Sequence, residues 1–375
     1  MDHKTHSDSS NNSALLKLDS LTVSGSPTEM GRAYGLHYKG LINRFVDMRL
    51  SSAEQYFADW GRGSVDQLLE RGAECWRIAL DFDPSAAREQ EAIAAAVGMT
   101  PERLYATTNM TDVRDVVLLP DVLPPDEDEG CTSVLIPKNE NSQGYFGQTW
   151  DLNPPDIDFI IALHRLPDHG LETWTVTCAG CMTLVGMNEQ GISVGTTNLK
   201  TWRSRVGVGY LSVLHKAVSQ PSFALASKVC ENAPVAGAHS YWIGGVEGGV
   251  EWERSPDEAF MRDTANGPIG RANHCLFESH QVREWVKPTP SSAARFATVS
   301  ELITRPENQS LQGLKSVFAD RSEGVHSINR YPEDDQGTTT NSVVISDPTN
   351  GVLHACRGSA DRGEWVSLSF DRRRL

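Results

Sequence analysis

At residue 130 the chain changes its pattern, and that change constrains the fold more than any other feature. Upstream, apolar residues recur at helical spacing, as Leu41, Phe45 and Met48 do within Met30–Trp60. Downstream, short apolar runs alternate with turn-forming clusters, the signature of strands. Between them lies Leu119–Gly130, LPDVLPPDEDEG, with three prolines and five acidic residues in twelve positions. Proline removes backbone donors and clashes within a helix, so this stretch is neither helix interior nor central strand. Its composition reads as an exposed connector.

On the helical side, Pro84–Val97 is alanine-rich, and Gly98 follows as a natural stop. Thr100-Pro101-Glu102 places a capping hydroxyl before a first-turn proline and opens a helix toward Asn109. On the strand side the runs are Thr132–Ile136, Tyr145–Trp150, Phe159–Leu163, Thr173–Thr177, Ser342–Ser346 and Gly351–Ala355. Short turn sequences such as Pro167-Asp168-His169-Gly170 and Asp347-Pro348-Thr349-Asn350 join them, which implies hairpins and antiparallel sheets. Tyr210–Val218 and Ser292–Thr304 read as further helices. Helices, then hairpins, then helices again predict α+β layering, without internal repeats.

A chain of 375 residues suits one large domain or two. Lys and Arg number 34 and Asp and Glu 49, a net charge of −15. Nucleic acids and anionic membrane surfaces require basic faces, so neither is an expected partner. No segment approaches the apolar length of a membrane span. Met1–Ser13 is polar and reads as a frayed tail, not a secretory signal. Seven scattered cysteines, at 75, 131, 178, 181, 230, 275 and 356, suggest reduced thiols and a cytoplasmic protein.

Phosphate-loop, dinucleotide and HExxH motifs are missing from the sequence, so no resident cofactor and no metal is expected. Gly207-Val208-Gly209 is too short to count and reads as a loop. Cys178-Ala179-Gly180-Cys181 lacks a second pair at metal-binding spacing and sits among apolar residues, so packing is the simpler reading. Arg372-Arg373-Arg374 reads as a solvated end.

Gly130-Cys131-Thr132 places a cysteine directly after the acidic segment, where a strand begins. Downstream come Gly147-Gln148-Thr149-Trp150-Asp151, Gly186-Met187-Asn188-Glu189-Gln190-Gly191, Gly195-Thr196-Thr197-Asn198, Asn273-His274 and Asn329-Arg330. Singly, each has a bland alternative: Asp151 as a turn residue, Asn273 as a partner for buried backbone, Arg330 as a mate for Asp334 or Asp335. In this order and spacing they resemble the acyl-coenzyme A:6-aminopenicillanic acid acyltransferase-like branch of the N-terminal nucleophile (Ntn) hydrolases. The resemblance runs from Gly31-Arg32-Ala33-Tyr34-Gly35 to the last strands.

That resemblance implies a four-layer αββα sandwich with two stacked antiparallel sheets. It implies a precursor that cuts itself between Gly130 and Cys131. Residues 14–130 would form a helix-rich chain and 131–375 a β-rich catalytic chain, together one domain held as an αβ heterodimer, with higher oligomers possible. Cys131 would attack the Gly130 carbonyl, and water would release both chains. Glycine tolerates the backbone strain this attack demands. The new α-amino group, with a reference pKa near 8, would then act as base for its own thiol.

By the same resemblance, Asp151 orients the new terminus, Asn273 donates to the oxyanion, and Arg330 favours the thiolate. Asn198 is a second donor or a substrate contact. Trp150 and Thr149 flank the expected substrate pocket. Thr149 and Leu152 depart from the family pattern, as does the insert Asn153-Pro154-Pro155-Asp156. The arginine that bile-salt and penicillin V hydrolases carry shortly before the aspartate is not evident, so that branch matches less well. The expected substrate is a small molecule with a non-peptide or N-acyl amide bond. The alternative is acyl transfer from a coenzyme A thioester, with Lys200, Arg203 and Arg205 as candidate phosphate contacts. A catalytically inactive binding protein on the same fold is the reading from another class.

Overall fold

The computed structural model describes residues 15–118, 130–201, 203–284 and 288–370. The polar tail, the acidic proline-rich segment up to Glu129 and the terminal arginine run lie outside the described residues.

A strand, β1 (Asp19–Gly25), is followed by six helices: α1 (Pro27–His37), α2 (Lys39–Trp60), α3 (Val65–Phe82), α4 (Pro84–Val97), α5 (Pro101–Thr108) and α6 (Met110–Leu118). Their ends follow the local chemistry. Ser26 and Glu29 form a reciprocal capping box at the start of α1. Asp83 caps α4 over a first-turn proline, and Gly98 ends it at φ +89°. Thr100 Oγ1 accepts from the Arg103 N–H to start α5.

The second half begins with β2 (Ser133–Ile136), β3 (Tyr145–Leu152), β4 (Ile160–Pro167), β5 (Thr173–Cys178), β6 (Val185–Asn188) and β7 (Ser193–Leu199). Helices α7 (Tyr210–Val218) and α8 (Phe223–Asn232) come next. Strands β8 (Ala238–Gly245), β9 (Gly248–Arg254), β10 (Ala259–Asp263) and β11 (Ile269–Arg271) follow. The short α9 (Glu278–Gln281), α10 (Pro290–Leu302) and α11 (Leu311–Phe318) precede β12 (Thr339–Asp347), β13 (Val352–Arg357) and β14 (Val366–Ser369).

The strands form two sheets, ordered β1-β4-β5-β6-β7-β8-β9-β10 and β11-β2-β3-β12-β13-β14. Alternation along each strand assigns the layers. Leu135, Phe146, Trp174, Val176, Trp242, Val344 and Leu353 point between the sheets and form the largest core. Val134, Ile136, Val343 and Ile345 point the other way, against Val299, Ile303, Leu314 and Val317 of α10 and α11. Ile161 and Leu163 of β4 pack against Met30, Tyr34, Ile42 and Ile93 of the first helices. The result is the α+β, four-layer αββα sandwich.

The expectation of wholly antiparallel sheets needs one correction. β1 runs parallel to β4, pairing Asp19 with Ile161 through Gly25 with Pro167. A parallel pair requires a long crossover, and six helices plus a hairpin supply it here. The other pairings between named strands are antiparallel.

Two polar brackets position the site. Gln148 Oε1 on β3 accepts from Thr196 N at 2.7 Å and from Trp242 Nε1 at 2.8 Å, tying one sheet to the other. A Cβ at Gly195 would lie 2.4 Å from that oxygen, so only glycine fits. Helix α7 lacks a cap of its own and is capped by the N-terminal half. Gly209 N donates to Tyr105 Oη, Tyr210 N to Asp112 Oδ2 and Leu211 N to Asn109 Oδ1. Among the described residues no helix is long and apolar enough to cross a membrane.

Candidate active site

Four strand ends meet at one end of the six-stranded sheet. Register pairs Arg271 with Ser133, Ser133 with Gln148, and Thr340 with Asp151. The starts of β2 and β12 therefore lie beside the ends of β3 and β11. Asn198, near the end of β7, comes to the same place from the other sheet.

Cys131 sits two residues before β2. The ladder continues past the strand itself, with Thr132 N donating to Thr149 Oγ1 at 3.0 Å and Thr149 N to Thr132 O at 2.9 Å. This sets the Cys131 thiol against the Asp151 backbone: Asp151 N donates to Sγ at 3.4 Å, and Sγ lies 3.7 Å from Asp151 O. Gly130 is pressed against the same residue. A Cβ there would lie 2.6 Å from Asp151 Cβ and 2.7 Å from Arg330 Nη1. Glycine at 130 is thus required by close approach.

The Asp151 carboxylate is buried, with the Arg330 and Arg295 guanidiniums and the Thr340 and Thr149 hydroxyls near it. Burial pushes its pKa from 3.8 up to about 6, against the opposing pull of the Arg330 and Arg295 guanidiniums. Arg330 is fully buried near that carboxylate, and among the described residues its three guanidinium nitrogens make no direct hydrogen bond. Its backbone is clamped: N donates to Thr340 Oγ1, while O accepts from Thr340 N and the Thr339 and Ser359 hydroxyls. The bland pairing of Arg330 with Asp334 does not form, because Asp334 is held by Arg321 at 2.6 and 2.8 Å.

Asn273 closes the group from beyond β11. Its Nδ2 donates to Asn198 O at 3.0 Å, and its backbone N donates to Ser292 Oγ. The neighbouring His274 hydrogen-bonds Ser292 Oγ at 2.8 Å, and burial lowers its pKa to about 4. It is neutral at physiological pH.

Cys131, Asp151 and Asn273 line a cleft of about 390 Å³. Trp150, Leu152 and Tyr210 give it apolar walls, and Thr111, Thr196, Asn198 and His239 add polar ones. Thr149 does not line it; its hydroxyl accepts from the Thr132 N–H and lies near Asp151, positioning contacts rather than substrate contacts. Two of the three basic candidates for coenzyme A, Arg203 and Arg205, are engaged elsewhere. Arg205 pairs with Asp257 at 2.5 Å and Arg203 approaches it at 3.9 Å.

Sequence reasoning missed two parts. Arg295, fully buried on α10, contacts Cys131 O, Thr132 Oγ1 and Asn273 Oδ1. Its signal was an arginine at helical spacing from Ser291 and Val299, on the face that proves buried. Asp112 and His239 form a buried pair at 2.7 Å beside the cleft, and β8 gave no sign of it. Cys178 and Cys181 are core residues: burial pushes the first thiol well up and the second to about 12. None of the seven cysteines is in a disulfide.

The model of the family described as "Acyl-coenzyme A:6-aminopenicillanic acid acyl-transferase" matches residues 138–362, more than half of the chain. No curated protein matches the sequence. Three similar solved structures are a mutant conjugated bile acid hydrolase from Clostridium perfringens, a Caenorhabditis elegans N-acylethanolamine-hydrolyzing acid amidase ortholog, and a penicillin V acylase from Agrobacterium tumefaciens. They are 11%, 14% and 12% identical over 64% of this chain, cover 97%, 100% and 87% of their own, and have TM-scores of 0.41, 0.44 and 0.42.

Proposed function

The chain belongs to the acyl-coenzyme A:6-aminopenicillanic acid acyl-transferase family of Ntn hydrolases, and from that premise we propose that it is a self-processing amidohydrolase whose nucleophile is Cys131. One observation carries the reading. Gly130 and the Cys131 thiol are both held against Asp151, a buried carboxylate that lines the cleft.

In the first step the Cys131 sulfur bonds to the Gly130 carbonyl carbon. The carbon–nitrogen bond breaks, and the departing nitrogen keeps the thiol proton as part of a new α-amino group. Water then hydrolyses the thioester, giving a Gly130 carboxylate and restoring the thiol. The product places a new α-amino group beside the buried Asp151 carboxylate, which orients it. In turnover the neutral amine accepts the thiol proton, sulfur attacks the substrate amide, the proton passes to the leaving amine, and water then hydrolyses the thioester to release the acid and restore the thiol. Asn273 faces the cleft, where its amide N–H is suited to the oxyanion. Neutral His274 is tied to Ser292, which fits a mechanism that needs no histidine. Arg330 beside Gly130 supplies positive potential to the anionic intermediates.

Hydrolysis of a small N-acyl amide is preferred over transfer because Arg203 and Arg205 lie against Asp257. The family's description keeps acyl transfer as the second reading, which thioester turnover with and without an amine acceptor separates. The primary test is intact mass of fresh protein beside Cys131→Ala. Two chains parted before Cys131 in the parent and one chain in the variant are expected. One intact chain in both, with a thiol inert to iodoacetamide, would overturn the proposal in favour of a non-catalytic binding protein.

A further inference from the structure

We propose that Arg295 is a positioning residue that fixes both the nucleophile and the Asn273 amide; this rests on the function proposed above. The guanidinium is fully buried and reaches across from α10. Nη1 donates to Cys131 O at 2.5 Å and to Thr132 Oγ1 at 3.1 Å. Nη2 donates to Asn273 Oδ1 at 2.9 Å, and Nε donates to Ser291 Oγ at 3.2 Å.

A guanidinium has donors and no acceptor. The Asn273 side chain must therefore turn its oxygen toward Arg295 and its nitrogen away. That orientation is dictated by chemistry, although oxygen and nitrogen are otherwise nearly interchangeable in shape. One Nδ2 hydrogen goes to Asn198 O, leaving the other for a ligand in the cleft. Without Arg295 only the Asn198 carbonyl would hold the amide, and each excursion to the flipped orientation would turn oxygen lone pairs toward a developing oxyanion.

The same guanidinium grips the carbonyl on the C-terminal side of Cys131. The Gly130–Cys131 bond lies on the other side, so this grip survives the cut and keeps the new terminus in place. Ser292, one turn before, holds Asn273 N and His274 Nδ1. The first turns of α10 thus fasten the nucleophile and the oxyanion donor to one rigid element, the arrangement that a preorganised site requires.

Charge and geometry separate in Arg295→Lys, which keeps the cation and loses the fork. The parent and this variant would be compared by urea midpoint, rate of processing, iodoacetamide labelling of Cys131, and kcat and KM on an N-acyl p-nitroanilide. A crystal structure of the variant at about 1.2 Å or better, where amide hydrogens can be seen, would report the Asn273 orientation. We expect an unchanged fold, KM within about threefold, and kcat per labelled site lower by about a hundredfold, the typical cost of one oxyanion donor. We also expect slower processing and an Asn273 amide no longer held in one orientation. A kcat per labelled site within about threefold of the parent, or an Asn273 amide unmoved in the variant, would overturn the proposal. A purely structural role would lower the labelled fraction and leave kcat per labelled site intact. Failure of the function itself looks different: the parent would be uncut and unlabelled at Cys131, and the crystal structure would still decide the orientation.

Discussion

Replacing Asp151 by asparagine should stabilise the uncut chain at neutral pH, the reverse of what losing an active-site residue's charge partner usually does. The uncut state is held by Cys131→Ala. In it the Asp151 carboxyl has a pKa of about 6 against the ordinary 3.8. A gap of about 2 units at 1.36 kcal/mol per unit is about 3 kcal/mol. The folded chain binds this proton more tightly than the unfolded one does. Its stability is therefore greatest below about pH 4, falls as pH rises toward 6, and is level above. Asparagine has the shape of the neutral carboxyl and does not ionise. The double variant should match Cys131→Ala near pH 4 and exceed it by up to about 3 kcal/mol above pH 6. Urea unfolding from pH 4 to 8, followed by circular dichroism, reads both the offset and the slope. The cut parent protein is the internal control: its new ammonium beside Asp151 should flatten or invert that slope. An asparagine variant less stable than Cys131→Ala at pH 7, or with the same pH dependence, would refute the account of Asp151 as a carboxyl that burial makes hold its proton.

Three further outcomes are expected. Gly130→Ala forces a methyl to within 3 Å of Asp151 and Arg330, so stability should fall by about 1–3 kcal/mol, and processing, followed on a denaturing gel, should slow strongly. Gln148→Leu strands the buried Thr196 N–H and Trp242 indole N–H; urea melts should show a loss of about 2–6 kcal/mol, since each orphaned donor costs about 1–3. Brief iodoacetamide treatment of native protein, read by peptide mass mapping, should modify Cys131 at the cleft and spare the core thiols, because burial holds Cys75 near 11 and Cys181, Cys230 and Cys356 near 12.

The sequence was most legible where a local rule decides the structure. Helix α4 falls on the predicted Pro84–Val97 because a cap and a glycine stop bracket it, and α7 falls on Tyr210–Val218, an apolar run that starts after Gly209. The hairpins β4–β5 and β12–β13 follow from their turn residues. Helix α3 carried a readable signal, Ser64 before Leu68, Gly72, Cys75 and Ala79. Strand β8, buried along its whole length as AHSYWIGG, has no period that separates it from a buried helix turn. The ordered motifs brought Cys131, Asp151, Asn273 and Arg330 to one strand-end cluster. What escaped was long-range: Arg295 meets Cys131 across 164 positions, and His239 meets Asp112 across 127. No local spacing encodes such contacts. The parallel placement of β1 escaped for the same reason, since its partner lies six helices away.

That placement bears on how a cut enzyme would age. β1 belongs to the segment before Gly130, yet it hydrogen-bonds along β4, whose first four residues are fully buried. If the chain is severed before Cys131, the larger fragment borrows its border strand from the smaller one. Loss of the smaller fragment would bare the backbone of Ile160–Pro167, an apolar sheet margin able to recruit any passing β-strand. The working life of the processed protein would then be set less by unfolding of its core than by how slowly two fragments part, and the first symptom of their parting would be aggregation.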